Sequence, residues 1–165
     1  MKTWTFIYVI VFLPLLLFGQ PPNEFNDSLY IEALEKYSIE LDSFYSIYGT
    51  KRAENSTIYL EYTELINQVP DSALNRPIVV LTGENYKKIF RENNNGLSTV
   101  RIFPIETENE LIKITLTPYG SSLKRKGIRL KKHLFKAVSC WTIIYFKYDM
   151  TEKTWKYYKT ENGGI

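Results

Sequence analysis

The sequence is poor in the residues that carry most metal and thiol chemistry. Its 165 residues include one cysteine, Cys140, and one histidine, His133. A single cysteine excludes an internal disulfide, and the common zinc ligand sets need a second histidine or a cysteine pair. A Ser-His-Asp relay would depend on His133 alone. We therefore predict no metal, no cofactor and a buried Cys140, and we favour a protein that binds without catalysing a reaction over an enzyme.

Acidic residues are missing from one long stretch. Residues 111–148 contain no Asp or Glu and nine Lys/Arg, whereas residues 21–110 contain eight Lys/Arg against fifteen Asp/Glu. The formal net charge of +3 therefore hides a strong separation of charge along the chain. A basic segment of this density favours an anionic partner.

The first twenty residues differ from the rest. Lys2 precedes an apolar run over residues 4–18, and Gly19-Gln20 before Pro21-Pro22 is a plausible processing site. The run is shorter than the ~20 residues that a spanning helix usually needs. We predict a signal peptide at 1–20, with an uncleaved anchor as the alternative, and export to the periplasm or the cell exterior. Residues 21–165 have the size of a single α+β domain.

Two helices are predicted. Aromatic and apolar residues recur at steps of three and four after a capping segment at residues 26–28, which is typical of an amphipathic helix that ends at Gly49. The recurring residues are Tyr30, Leu34, Tyr37, Leu41, Phe44, Tyr45 and Tyr48. A second, short helix is predicted from its cap Thr82 to about Asn93, with Tyr86, Ile89 and Phe90 turned inward.

The later part of the chain has strand patterns. Residues 137–148 are apolar or aromatic at both parities, which predicts an interior strand covered on both faces. Residues 97–105 and 111–117 predict a hairpin around an acidic turn, Pro118 to Ser122 predicts a break, and residues 154–160 predict a returning strand. The predicted fold is a long N-terminal helix packed on a curved antiparallel sheet of about five to six strands.

Two resemblances follow from these patterns. The order helix, strand, strand, helix and then antiparallel strands resembles NTF2-like and cystatin-like α+β folds, which implies a sheet that wraps the long helix. The C-terminal residues Tyr145-Phe-Lys-Tyr-Asp149, Trp155 and Glu161-Asn-Gly-Gly-Ile165 resemble small exported proteins of Bacteroidota that have no assigned function. This second resemblance implies export and no particular activity.

The basic segment is the first candidate site. Residues 123–136 alternate loosely and predict either an edge strand or a protruding ribbon. The residues that we predict to contact an anionic partner are Lys124, Arg125, Lys126, Arg129, Lys131 and Lys132. An anionic envelope component or an acidic protein fits best, because few aromatic residues are present to stack nucleic-acid bases. Membrane contact is expected only at the surface or through an uncleaved N-terminal segment. A solvated face, or a contact with the acidic side of the first helix, remains open.

An aromatic pocket between helix and sheet is the second candidate. Its predicted lining residues are Tyr30, Tyr37, Tyr45, Tyr62, Trp141 and Tyr145. Apolar walls with a few hydroxyls suit small-molecule binding better than acid-base catalysis, because no carboxylate stands out among the inward positions. The alternatives are a small-molecule-binding NTF2-like domain, an enzyme that uses this pocket, or tyrosines that only fill a core.

Overall fold

The computed structural model describes the backbone of residues 24–47, 56–126, 129–137 and 140–164, and the side chains of residues 26–42, 56–123 and 140–164. The predicted signal peptide, the predicted helix end at Gly49, and the side chains of Phe44, Tyr45 and Tyr48 lie outside these ranges.

Two helices and nine strands lie within the described residues. The helices are α1 (Glu24–Ile47) and α2 (Tyr86–Glu92). The strands are β1 (Ile58–Glu61), β2 (Ser72–Ala73), β3 (Arg76–Leu81), β4 (Gly96–Ile102), β5 (Glu106–Glu108), β6 (Leu111–Lys126), β7 (Arg129–Ala137), β8 (Cys140–Asp149) and β9 (Thr154–Gly164). The predicted α+β class is confirmed. The sheet exceeds five to six strands partly because β2 and β5 are too short to show alternation.

Helix α1 turns its predicted apolar face toward the sheet. Tyr30, Leu34 and Tyr37 are at most 3% exposed, and Leu41 packs at the margin of the same core. Side chains three and four residues apart lie on one side of a helix, so this spacing is sufficient to bring them to the sheet together. The predicted packing of a long helix on the sheet is therefore confirmed.

The start of α1 differs from the prediction. The helix begins at Glu24, before the predicted capping residues, and the Asp27 carboxylate instead accepts a hydrogen bond from the Asn67 N–H at 3.2 Å. Asp27 therefore links α1 to the segment before β2. The error arose because an aspartate ahead of an apolar run is the usual sign of a helix start, whereas here a contact distant in sequence uses the same carboxylate.

The strands form one sheet in the order β2, β3, β1, β4, β6, β8 and β9, with β5 and β7 paired to opposite ends of β6. β5 lies on the same edge of β6 as β4, and β7 lies on the same edge as β8. Most neighbours are antiparallel, but β1 is parallel to both β3 and β4. Helix α2 returns the chain between β3 and β4, so both strands can start from the same end of the sheet. The prediction of a fully antiparallel sheet is wrong in this part.

The main core lies between α1 and one face of the sheet. The buried sheet residues of this core are Ile58, Leu60, Ala73, Ile78, Val100, Ile102, Ile112, Ile114, Leu116, Ile144 and Phe146. Helix α2 contacts β4 and β6, and Asn93 behind it donates a hydrogen bond to the Tyr59 hydroxyl at 3.3 Å. Tyr59 alternates with the core residues Ile58 and Leu60, which places this end of α2 on the opposite face of the sheet. The predicted inward residue Phe90 is fully buried there.

Strand β8 is the predicted interior strand, but its two faces differ. It pairs with β6 on one edge and with β9 on the other. Thr142, Ile144 and Phe146 are buried toward α1, whereas Ile143 on the opposite face is partly exposed and Trp141 is 39% exposed. The prediction that both faces are covered is therefore wrong at Trp141, where the face stays partly open to solvent.

Strand β6 continues through the stretch that was predicted to break it. β4 pairs with β6 without interruption from Leu116 to Ser122. On the other edge, the pairing with β8 reaches Leu116 and the pairing with β7 begins at Tyr119. Pro118 falls in this gap, where β6 pairs only with β4, so the missing N–H of proline can face the unpaired edge. A proline that breaks most strands is tolerated here for that reason.

The predicted acidic turn before β6 is partly a strand. Residues 106–108 form β5, and the turn is reduced to Asn109 and Glu110, whose φ angles are 48° and 63°. Two consecutive residues with positive φ match the two-residue turn that connects tight antiparallel strands. The predicted hairpin is confirmed, with a shorter turn than expected.

Candidate functional site

The basic segment forms the free end of a β-hairpin. β4 pairs with β6 only as far as Ser122, and β7 pairs with β6 from Tyr119 to Lys126. Beyond Ser122, β7 is the only described strand that pairs with β6. Residues 123–126 and 129–133, which we call the basic hairpin, therefore form a two-stranded ribbon that extends past the rest of the described sheet.

The six predicted contact residues lie on the two strands of this ribbon. Lys124, Arg125 and Lys126 belong to β6, and Arg129, Lys131 and Lys132 belong to β7. The backbone register sets Lys126 opposite Arg129 and Arg125 opposite Leu130, while the side chains lie outside the described residues. The ribbon alternative is thus correct, and the edge alternative also holds for β7.

The ribbon brings these charges close together. Residues 123–126 span about 10 Å at a strand rise of roughly 3.4 Å per residue, and paired strands lie about 4.8 Å apart. The Debye length at physiological ionic strength is about 8 Å, so the potentials of neighbouring positive groups overlap and add. The hairpin therefore concentrates positive potential more strongly than an extended basic segment of the same composition.

Several acidic side chains are occupied elsewhere. In α1, Asp42 pairs with Arg76 and Glu40 accepts a hydrogen bond from the Asn162 amide at 2.7 Å. In the sheet, Glu106 and Glu108 both bind Lys113, at 3.0 and 2.9 Å. Two acidic residues of α1, Glu40 and Asp42, therefore already have partners, which leaves less of its acidic side available to the basic segment.

The two residues first considered for catalysis give no support to it. His133 lies opposite Leu123 in the hairpin, and its side chain is outside the described residues. Cys140 is half-buried, and this burial raises the pKa of its thiol. A raised pKa leaves less thiolate at neutral pH, and the thiolate is the reactive form.

The aromatic residues predicted to share a pocket are separated by the sheet. Tyr30 and Tyr37 are buried on the α1 side, whereas Trp141 and Tyr145 alternate with the α1-facing residues of β8 and lie on the opposite face. Tyr62 is 64% exposed, and the side chain of Tyr45 is outside the described residues. Five of the six residues therefore divide into separate environments, because adjacent strand positions point to opposite faces.

The hydroxyls of Tyr30 and Tyr145 have structural partners. The Ile105 N–H donates to the Tyr30 hydroxyl at 3.1 Å, and the Tyr145 hydroxyl donates to the Glu161 carboxylate at 3.1 Å. Burial is the main cause that raises the pKa of both tyrosines. Both phenols consequently stay protonated at neutral pH, and each fastens a neighbouring segment.

A polar network on the face opposite α1 was missed by the sequence analysis. Glu61 accepts hydrogen bonds from the Thr99 hydroxyl at 3.1 Å and from Arg101 at 2.7 Å, and Thr99 lies 2.7 Å from the Ser121 hydroxyl. Thr99 and Ser121 are buried. The network links β1, β4 and β6 and uses both oxygens of the carboxylate. The sequence signal for this network was Glu61, which alternates along β1 with the core residues Ile58 and Leu60.

Trp141 lies across the backbone of β9. A Cβ atom placed on Gly163 would come within 2.0 to 2.6 Å of three adjacent atoms of the Trp141 indole. All three distances are below van der Waals contact, so the six-membered ring must lie over the glycine. Gly163 is paired directly with Trp141, and the missing side chain provides the space for the ring.

Replacing Gly163 with alanine should displace the Trp141 indole and lower the free energy of unfolding by about 1 to 3 kcal/mol, the usual cost of overpacking. Denaturant titration and tryptophan fluorescence would measure both effects. Gly83→Ala is the control, because no atom lies within 4 Å of a Cβ at that position. An unchanged Trp141 environment in the Gly163 variant would contradict the stacked geometry.

Comparison with known proteins finds no matching family model, no similar curated protein and no similar solved structure. Among the helices of the described residues, none is long and apolar enough to cross a membrane.

Proposed function

We propose that this chain is an exported, non-catalytic interaction protein that contacts an anionic partner through the basic hairpin. The observation that carries the proposal is the pairing of β6 with β7, which gathers the basic residues of a long acid-free segment into one short ribbon. Export is supported by the apolar N-terminal run of the sequence.

Mutual repulsion among the charges of the basic hairpin favours binding of an anionic partner over a solvated surface without a partner. Like charges within one Debye length repel one another, so placing six of them on a ribbon of about 10 Å has an energetic cost. Binding a multivalent anion relieves that cost and releases the counterions that the free hairpin holds. An anionic envelope component or an acidic protein would both provide this gain.

The pocket alternatives have less support. A small-molecule site or an active site would need the aromatic residues and titratable groups to converge, whereas the sheet separates Tyr30 and Tyr37 from Trp141 and Tyr145. The long first helix on a mostly antiparallel sheet supports an NTF2-like or cystatin-like plan with a sheet curved around α1. This relationship is part of the proposal and brings no activity with it.

Reversing four charges of the basic hairpin should abolish binding to anionic polymers. The variant is Lys124→Glu, Arg125→Glu, Lys131→Glu and Lys132→Glu, and the probes are polyglutamate and heparin. At about 1 kcal/mol for each basic residue beside an anionic surface, loss of the four attractions alone weakens binding about a thousandfold. Wild-type binding should also weaken steeply as salt concentration rises.

The matched control reverses the same number and kind of charges elsewhere. Lys87, Lys88, Arg91 and Lys153 are exposed and comprise three lysines and one arginine, as in the hairpin variant. Both variants have the same net charge, so a general charge effect would weaken both equally. Equal losses, or wild-type binding that persists at high salt, would contradict a specific role of the hairpin.

A further inference from the structure

The outer edge of β7 is an open position in the described part of the sheet. β7 and β8 pair with the same edge of β6, one beyond the other. Strand β9 pairs with the other edge of β8, and this pairing ends where Cys140 lies opposite Gly164. No described strand pairs with the outer edge of β7. A strand added at this position would continue the line of β9 along β7.

The open edge is long enough to hold a strand. β7 contains nine residues, from Arg129 to Ala137, and strands in globular proteins are usually about five to six residues long. Along any edge strand, alternate residues direct their N–H and C=O groups outward, and these groups are free to bind another extended chain. Main-chain hydrogen bonds of this kind provide affinity in peptide recognition by strand addition.

The charge of β7 determines which strand can bind. β7 contains four positive residues and no Asp or Glu, and a register shift in its pairing with β6 sets both Lys131 and Lys132 opposite Lys124. An added strand would therefore lie beside positive residues, and no acidic ones, along β7. Residues directly opposite each other in paired strands lie about 4.5 to 5.5 Å apart, where unlike charges attract and like charges destabilise.

We infer that the anionic partner is an acidic polypeptide segment that adds to the outer edge of β7 as a β-strand. This inference rests on the proposed function and assigns the chemistry of the partner. It also excludes a second copy of the chain as the natural occupant, because two copies would place their basic edges against each other. Lysines on an edge oppose pairing with like or neutral strands and favour an acidic one.

The test uses the full chain and a synthetic peptide of five Thr-Glu repeats, which is acidic and suited to a strand. Binding should protect the outward-facing backbone amides of β7 from hydrogen exchange; these alternate with the amides that face β6, except at the register shift beside Lys131 and Lys132. A second peptide carries N-methyl groups on four consecutive central residues, which removes donors from both of its edges without changing its charge. It should bind at least about tenfold more weakly, since two or more main-chain hydrogen bonds are lost.

The possible outcomes separate this inference from the proposed function. If both peptides and heparin bind equally well without protecting β7 amides, the hairpin binds anions through charge alone, and the inference that an acidic segment pairs with β7 as a strand is wrong. If neither the peptides nor heparin bind, the proposed function fails as well. Protection of the outward-facing β7 amides in the isolated protein would show an edge already covered by its own chain or by a second copy, and it would overturn the inference.

A hairpin variant provides an independent check. Arg129→Gln, Lys131→Gln and Lys132→Gln remove charge from β7 and leave its backbone unchanged. Affinity for the Thr-Glu peptide should fall at least tenfold, while any residual complex should still protect the same outward-facing amides. If the isolated variant loses amide protection across β6 and β7, its hairpin has unfolded. The variant with reversed charges at Lys87, Lys88, Arg91 and Lys153 then shows whether charge changes elsewhere cause the same loss of amide protection. Unchanged affinity in the folded β7 variant would contradict the role of charge in selecting the strand.

Discussion

Replacing Ile144 with alanine should lower the free energy of unfolding by about 2 to 5 kcal/mol, as for other buried isoleucines. Ile144 is fully buried in the core between β8 and α1, where Ile114 is its partner on β6. Truncation would leave a cavity in a rigid sheet that cannot close around it. Because domains are stable by only about 5 to 15 kcal/mol, the loss should be obvious in chemical denaturation.

The adjacent residue provides the control for this prediction. Ile143 has the same side chain on the same strand, but it points to the opposite face and is partly exposed. Its truncation removes less buried area, and we expect a cost of about 1 kcal/mol. Equal costs at the two positions would contradict the difference in burial between Ile144 and Ile143 and would indicate a covering layer over Ile143.

Replacing Asp42 with alanine should lower the free energy of unfolding by about 3 kcal/mol, at the low end for removing one partner of a buried ion pair. Arg76 is 1% exposed, and its guanidinium contacts the Asp42 carboxylate and Ser56. Without Asp42, a charge stays inside the protein with one neutral partner. The 57% exposure of the Asp42 side chain, which lets water approach, keeps the cost near the lower limit.

A second substitution should rescue the Asp42 variant. Arg76→Met removes the buried charge at similar length, and the double variant should be at least about 1 kcal/mol more stable than Asp42→Ala alone. The Arg76 Nε has no hydrogen-bond partner among the described residues, so methionine leaves one fewer polar atom unsatisfied. Additive losses of stability in the double variant would show that Asp42 and Arg76 do not interact.

An exposed ion pair provides the control. Glu92→Ala removes the exposed pairing with Lys88 and should change the free energy of unfolding by less than about 0.5 kcal/mol.

Sequence periodicity was sufficient to predict the elements whose residues act through local spacing. The three-and-four spacing of Tyr30, Leu34 and Tyr37 determines one side of α1 whatever it packs against. The apolar parity of β8 likewise predicted a strand inside the sheet. The pattern of Lys87 and Lys88 outward with Phe90 inward was enough to predict α2.

The errors concern contacts between residues distant in sequence. The parallel pairing of β1 with β3 and β4 depends on where α2 returns the chain, and no short pattern records that path. The strand continues through Pro118 because the partner of β6 on one edge changes there from β8 to β7, which leaves no N–H required from Pro118 on that edge. Asp27 was read as a helix cap because its partner, Asn67, is 40 residues away.

The two candidate sites were not equally predictable. The basic segment could be recognised from composition alone, because charge density does not depend on which way a strand faces. The aromatic pocket required Trp141 and Tyr145 to face α1, and an interior strand with two apolar faces does not reveal which face meets the helix. The Glu61 network was missed because its members come from three strands.

Strand β6 runs from the core at Ile112 to the tip of the basic hairpin and pairs with β4, β5, β7 and β8 along the way. A partner that pulls on the tip along the strand axis would strain many of these backbone hydrogen bonds at once. A partner that pulls sideways on β7 would open the β6–β7 bonds one after another. The hairpin is therefore mechanically anisotropic, with high resistance to tension along its length and low resistance to peeling from its edge.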